Sequence, residues 1–165
     1  MIYPYKSWSP ILGDRTWVAP SADVIGDAQI GNDVSIWFGC VVRGDVHSIR
    51  IGDRTNIQDL SMVHVTHYKN KDRSDGYPTI IGNDVTVGHR VMLHGCTIEA
   101  ACLIGMSSTI LDGAVSGKES IVGPGSPVTN NKVFPPRSLA MGGPAKLVPS
   151  LRAEEVAELT PSPAR

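Results

Sequence analysis

Aliphatic residues recur along this chain every six positions, at Val18, Val24, Ile30, Ile36 and Val42, then at Ile51, Ile57 and Val63. The series resumes at Ile81, Val87 and Leu93, slips by one residue to Ile98, and continues through Ile104, Ile110, Val122 and Val128. Ser116 is its one exception. Four positions after each aliphatic stands a small or modest side chain, as at Ala22, Cys40, Val46, Thr55, Thr97 and Ala114. Glycine often follows the aliphatic directly, as in Ile30-Gly31, Ile51-Gly52 and Ile81-Gly82, with Asn-Asp or Asp-Arg next. Those residues tolerate the conformations of tight turns.

A helix repeats every 3.6 residues and an ordinary strand every two, so neither produces this period. The pattern predicts a triangular coil in which each unit is one short strand and a corner. The aliphatic points inward and the small residue fills the inner corner. Three units close a turn, and turns stack about 4.8 Å apart. A single unit cannot bury its own apolar face, so neighbours must stack. This arrangement resembles that of the hexapeptide-repeat proteins, which wind left-handed against the usual crossover rule. The expected fold is therefore all-β, a left-handed parallel β-helix over residues 18–133, with an outward loop at about 66–79 and a lead-in segment at 1–17. After Val128 the period is lost, and Phe134-Pro135-Pro136 are expected to leave the coil. Residues 134–165 then form an extension with a short C-terminal α-helix at about 151–159, capped by Ser150.

Composition agrees with a chain that turns often and packs small side chains, since 17 glycines and 12 prolines accompany only 5% aromatics in 165 residues. The net charge of −1, without a Lys/Arg run, argues against nucleic acid and membrane surfaces as partners. No stretch approaches the roughly 18 apolar residues of a spanning helix. The N-terminus lacks the charged-then-apolar pattern of a signal peptide. Three cysteines suit reduced thiols and a cytoplasmic setting. Cys40 and Cys102 fall in the small inward slot, which leaves Cys96 as a minor candidate for an extra metal ligand.

The histidines can be placed on the coil. His64 directly follows inward Val63, and His94 directly follows inward Leu93. If the loop replaces one corner, both occupy one outward slot a turn apart, within reach of one metal. Arg43 falls in the same slot a turn below. Gln58, Asp59 and His89 form a second polar column on another face. Side chains on different faces of one prism point apart, so a three-histidine site requires a neighbour. Three prisms packed face to face in a closed ring provide one. The same columns also suit a plain trimer interface without metal. His47 is expected at the surface.

The runs Val42-Arg43-Gly44-Asp45, Asn56-Ile57-Gln58-Asp59 through His64-Val65-Thr66-His67, Val85-Thr86-Val87-Gly88-His89 and Leu93-His94-Gly95-Cys96-Thr97-Ile98 resemble the γ-class carbonic anhydrase-like proteins. The resemblance spans about Trp17 to Val148. It implies a homotrimer with a divalent metal at each subunit interface, held by His64 and His94 of one subunit and His89 of another. It also implies reversible hydration of CO2 to bicarbonate by metal-bound hydroxide. In that scheme Gln58 orients the hydroxide, Arg43 lies near the bicarbonate position, Asp59 pairs with Arg43 across the interface, and Asp45 belongs to the same cluster. Zinc is the default metal, with iron or cobalt as alternatives. The family's acidic loop carries glutamates, whereas Tyr68 to Pro78 contains only Asp72 and Asp75, so His67 becomes a candidate either to shuttle protons or, like Asp45, to support the metal ligands from behind. The alternatives are a metal-stabilised trimeric scaffold with little anhydrase activity and a hexapeptide acyltransferase.

Overall fold

A computed structural model describes residues 1–148 together with Glu154. Of the predicted helix at 151–159 only Glu154 is described, in helical conformation, and the other positions lie outside the described residues. The chain winds into a parallel β-helix of short strands, most of them two or three residues long. On the first face the inward column runs Val24, Val42, Val63, Leu93, Ile110, Val128, each in register with the next. The second face stacks Ile30, Ile51, Ile81, Ile98, Ser116 and Phe134. The third stacks Val18, Ile36, Ile57, Val87, Ile104, Val122 and Ala140. Strands Asp23–Ile30 and Val41–Ile51 pass a corner without a break and join the first two faces into one sheet of 12 strands. The lead-in is built into the coil, since Ile2–Tyr3 and Ile11–Leu12 pair in parallel with Asp23–Ile30. Among the described residues no helix is long and apolar enough to cross a membrane.

Four details differ from the sequence reading. Phe134 does not leave the coil; it is 1% exposed and stacks on Ser116, so a large ring fills the space that a small side chain leaves. The series continues to Ala140 before Lys146–Val148 folds back antiparallel. The small inner slot is kept two residues before the following aliphatic, not four after the preceding one. Where the spacing changes, Ile49 and Cys96 therefore replace Val46 and Thr97 as the buried residues. Finally, His47 is buried rather than exposed, at 6%.

One corner carries a ladder of its own. Arg15, Asp33, Arg54, Asp84, Ala101, Glu119 and Arg137 all take positive φ at equivalent positions on successive turns. Arg15 makes a two-pronged ion pair with Asp33, and Arg54 with Asp84. Beside them, side-chain oxygens of Asn32, Asp53 and Asn83 each accept the backbone N–H of Asp14, Asn32 and Asp53, respectively. Gly31 and Gly52 are required here, because a Cβ on either would stand 2.4 or 2.2 Å from the ladder oxygen of the next turn.

The outward loop leaves and re-enters through an antiparallel pair of bonds between Thr66 and Tyr77. Its interior is tied by Asp75, whose carboxylate accepts the N–H groups of Lys69 and Asn70. Arg73 reaches back to buried Asp27 at 2.8 Å, lying over the rings of Trp8 and Tyr68.

Candidate metal centre

The strand pairing that stacks Leu93 on Val63 also stacks His94 on His64. Both imidazoles are half-buried on the outside of the first face, with ring centroids 5.0 Å apart. His64 Nδ1 and His94 Nε2 face each other at 3.1 Å. Each ring also has its other nitrogen on a carboxylate. His64 Nε2 lies 2.9 Å from Asp45 Oδ1, and His94 Nδ1 lies 2.7 Å from Asp112 Oδ1.

These contacts settle what the facing nitrogens can be. A carboxylate only accepts, so each outer nitrogen donates its proton, and a neutral ring then carries a lone pair on the inner nitrogen. Burial holds the His64 imidazole below its ordinary pKa, against the opposing pull of Asp45, which keeps it neutral at pH 7. Where both rings are neutral, two lone pairs at 3.1 Å repel unless a cation, whether a proton or a metal ion, sits between them. A metal 2.0–2.1 Å from each nitrogen fits that separation. Imidazoles whose remote N–H groups are held by carboxylates are the usual form of metal ligands. The pair therefore suits zinc and other imidazole-binding divalent metals.

Arg43 follows the Val42–Val63 pair and stands below His64, as expected. Its guanidinium bonds Asp45, which thus receives both Arg43 and His64. Burial raises the Asp45 pKa, but His64 and Arg43 outweigh it and the net shift is downward, so the group is ionised. Asp59 and His89 lie on the third face, with His89 Nδ1 3.0 Å from Asp59 Oδ2. All three predicted ligands therefore sit against an aspartate. Gln58 precedes Asp59 on that face, and its backbone N–H bonds Val87 O at 2.9 Å. Within one chain, no group of three His, Cys, Asp or Glu side chains among the described residues surrounds a common point. His64 and His94 stand together on the first face, and His89 stands on the third.

Two further candidates are not part of this pair. Cys96 points inward, 1% exposed, and burial pushes its thiol pKa up to about 12, so it is core rather than ligand. His67 is exposed on the loop and is not brought into the His64–His94 cluster. The sequence reading also missed Asp112 and Thr66. Asp112 follows Ile110 by two positions, one turn above Gly95, and the bare Cα of Gly95 lets it approach.

The chain matches a family model described as bacterial transferase hexapeptide (six repeats) over residues 9–44. It is 46% identical to gamma carbonic anhydrase 1, mitochondrial, of Arabidopsis thaliana, over 93% of this chain and 55% of the relative. The chain thus spans about half the length of that plant protein. It is 43% identical to a carbonic anhydrase of Geobacillus kaustophilus, over 96% of this chain and 83% of the relative. A solved structure described as a putative acetyltransferase from Bacillus cereus superposes with a TM-score of 0.89 at 43% identity, covering 96% of this chain and 88% of that one. With the paired histidines and their aspartates in place, these likenesses show that the chain belongs to the γ carbonic anhydrase family.

Proposed function

We propose that this protein catalyses the reversible hydration of CO2 to bicarbonate and a proton at a divalent metal shared between copies of a homotrimer. His64 and His94 of one copy and His89 of the next hold the metal. The meeting of two imidazole lone pairs at 3.1 Å, each ring backed by an aspartate, carries this reading. Its support also includes relatives named as carbonic anhydrases at 43–46% identity. When bound, such a metal acidifies a coordinated water to a pKa of about 7, which makes a nucleophile available near neutral pH.

The chain's own groups do the rest. Asp45, Asp112 and Asp59 each hold one histidine in its ligating tautomer. Arg43, kept beside His64 by Asp45, presents a cation to the developing bicarbonate charge. Gln58 shares its face with Asp59 and His89, and orients the attacking water by hydrogen bond once the neighbour's first face closes over it. His67, exposed beyond the loop neck, carries the released proton to solvent.

Metal content by plasma mass spectrometry and stopped-flow CO2 hydration test the proposal together. Wild type retains about one metal per chain and hydrates CO2 above the uncatalysed rate, while His89→Ala loses both. Loaded metal without hydration reduces the protein to a metal-fastened scaffold and overturns the enzymatic part. Absence of metal after reconstitution overturns the whole reading. The hexapeptide match and the Bacillus cereus likeness favour acyl transfer as a second reading. Saturable coenzyme A binding in calorimetry is its signature.

A further inference from the structure

Resting on the reading that His64 and His94 share a metal, we propose that Thr66 and Asp112 form an orienting relay through which the neck of the outward loop sets His94 as an Nε2 ligand. Asp112 makes contact through both oxygens. Oδ1 accepts the His94 Nδ1–H at 2.7 Å, and Oδ2 accepts the Thr66 hydroxyl at 2.6 Å. A carboxylate engaged at both ends cannot rotate, and the imidazole on it cannot flip without losing its partner.

Thr66 is fixed in turn. Its N–H donates to Tyr77 O and its carbonyl accepts from Tyr77 N–H, at 3.0 and 3.1 Å, so the hydroxyl belongs to the hinge of the loop. The space for this contact comes from Gly95, which turns the corner at φ +58. A Cβ there would stand 2.3 Å from Asp112 Oδ1 and 2.7 Å from Tyr77 Cβ. The loop neck, the carboxylate and the ligand thus meet over one bare Cα. His64 is served differently, since Asp45 comes from the turn of coil below and is shared with Arg43. Only the His94 arm runs through the loop. Asp112 and Thr66 are positioning residues; neither reaches the metal.

The test uses the full-length assembled protein, in metal-free and cobalt-loaded forms. Long-range nitrogen–proton NMR reads the His94 tautomer without metal. Wild type shows Nδ1–H, and Asp112→Ala moves the population towards Nε2–H. Chelator competition shows a metal affinity about 10–100-fold weaker in Asp112→Ala, with altered cobalt absorption bands and an unchanged oligomer. Asp112→Asn, which keeps the shape, guards against a folding artefact and also weakens metal. Thr66→Val reproduces part of the loss, and Thr66→Ser restores it. An unchanged tautomer and affinity in Asp112→Ala overturn the relay. A tautomer that depends on Asp112 in a wild type that binds no metal leaves the orienting role standing and overturns the metal reading instead.

Discussion

At the scale of single residues, two positions decide how the site is held and how the fold responds to pH. His47 is buried, with its Nδ1 accepting the Ser48 N–H at 2.8 Å and its Nε2 facing Asp75 O at 3.3 Å. Burial lowers its pKa, Arg73 lowers it further, and the Asp75 carbonyl and the charges of Asp27 and Asp75 only partly offset this. Protonation would also remove the acceptor that Ser48 uses. The unfolded chain therefore takes up this proton first as pH falls. The stabilising contribution is complete above the ordinary histidine pKa of about 6.5 and declines below it. Urea midpoints at pH 7.5 and 5.5 should fall more steeply for wild type than for His47→Gln. The second position is Gly95, where Gly95→Ala adds a left-handed non-glycine residue and a collision with Asp112. Its expected cost is about 1–3 kcal/mol in urea unfolding, together with weaker metal binding by titration. The pairing of His64 with His94 was legible in the sequence because both follow an inward aliphatic. Asp112 was not, because its approach depends on the shortened unit between Leu93 and Ile98 and on a neighbour's missing Cβ.

The element that governs the coil is the strand-and-corner unit, and its inward position bears the stability. Leu93 lies beneath His94 in the core, fully buried. Leu93→Ala should cost about 2–5 kcal/mol, measured by denaturant unfolding. Phe134→Ala distinguishes the two accounts of the C-terminal turn. A residue outside the coil would change stability by no more than about 0.5 kcal/mol, whereas a ring stacked on Ser116 should cost about 3–5 kcal/mol. The period made nearly every unit legible, including the interruption that became the loop. It did not show which neighbour defines the small slot, because the two rules coincide wherever the spacing is six. They separate at Ile49, Thr79 and Cys96, where the chain has gained or lost residues in a corner. The Thr66–Tyr77 neck was likewise invisible, since a lone pair of bridging residues leaves no periodic mark.

For the whole molecule, the division of histidines between the first and third faces makes one chain insufficient for a three-nitrogen site. On the trimeric reading, His89→Ala and His94→Ala chains are each inactive alone. Unfolded together and reassembled in equal amounts, they should regain about a quarter of wild-type sites, because one junction in four joins an intact His64–His94 pair to an intact His89. Hydration rate and metal content of the mixture check this, and no recovery means the site is not shared. Sequence spacing anticipated the split between faces, but not what closes over them, because register within a chain carries no information about its neighbour. The charged corner has a consequence of another kind. A stack of near-identical turns invites misthreading, with one turn skipped and the next paired in its place. Along Arg15, Asp33, Arg54 and Asp84 the sign alternates at each step, so a skipped turn sets Arg15 against Arg54 or Asp33 against Asp84. The corner thus works as a parity check on winding, rejecting the error that the hydrophobic repeat by itself would accept.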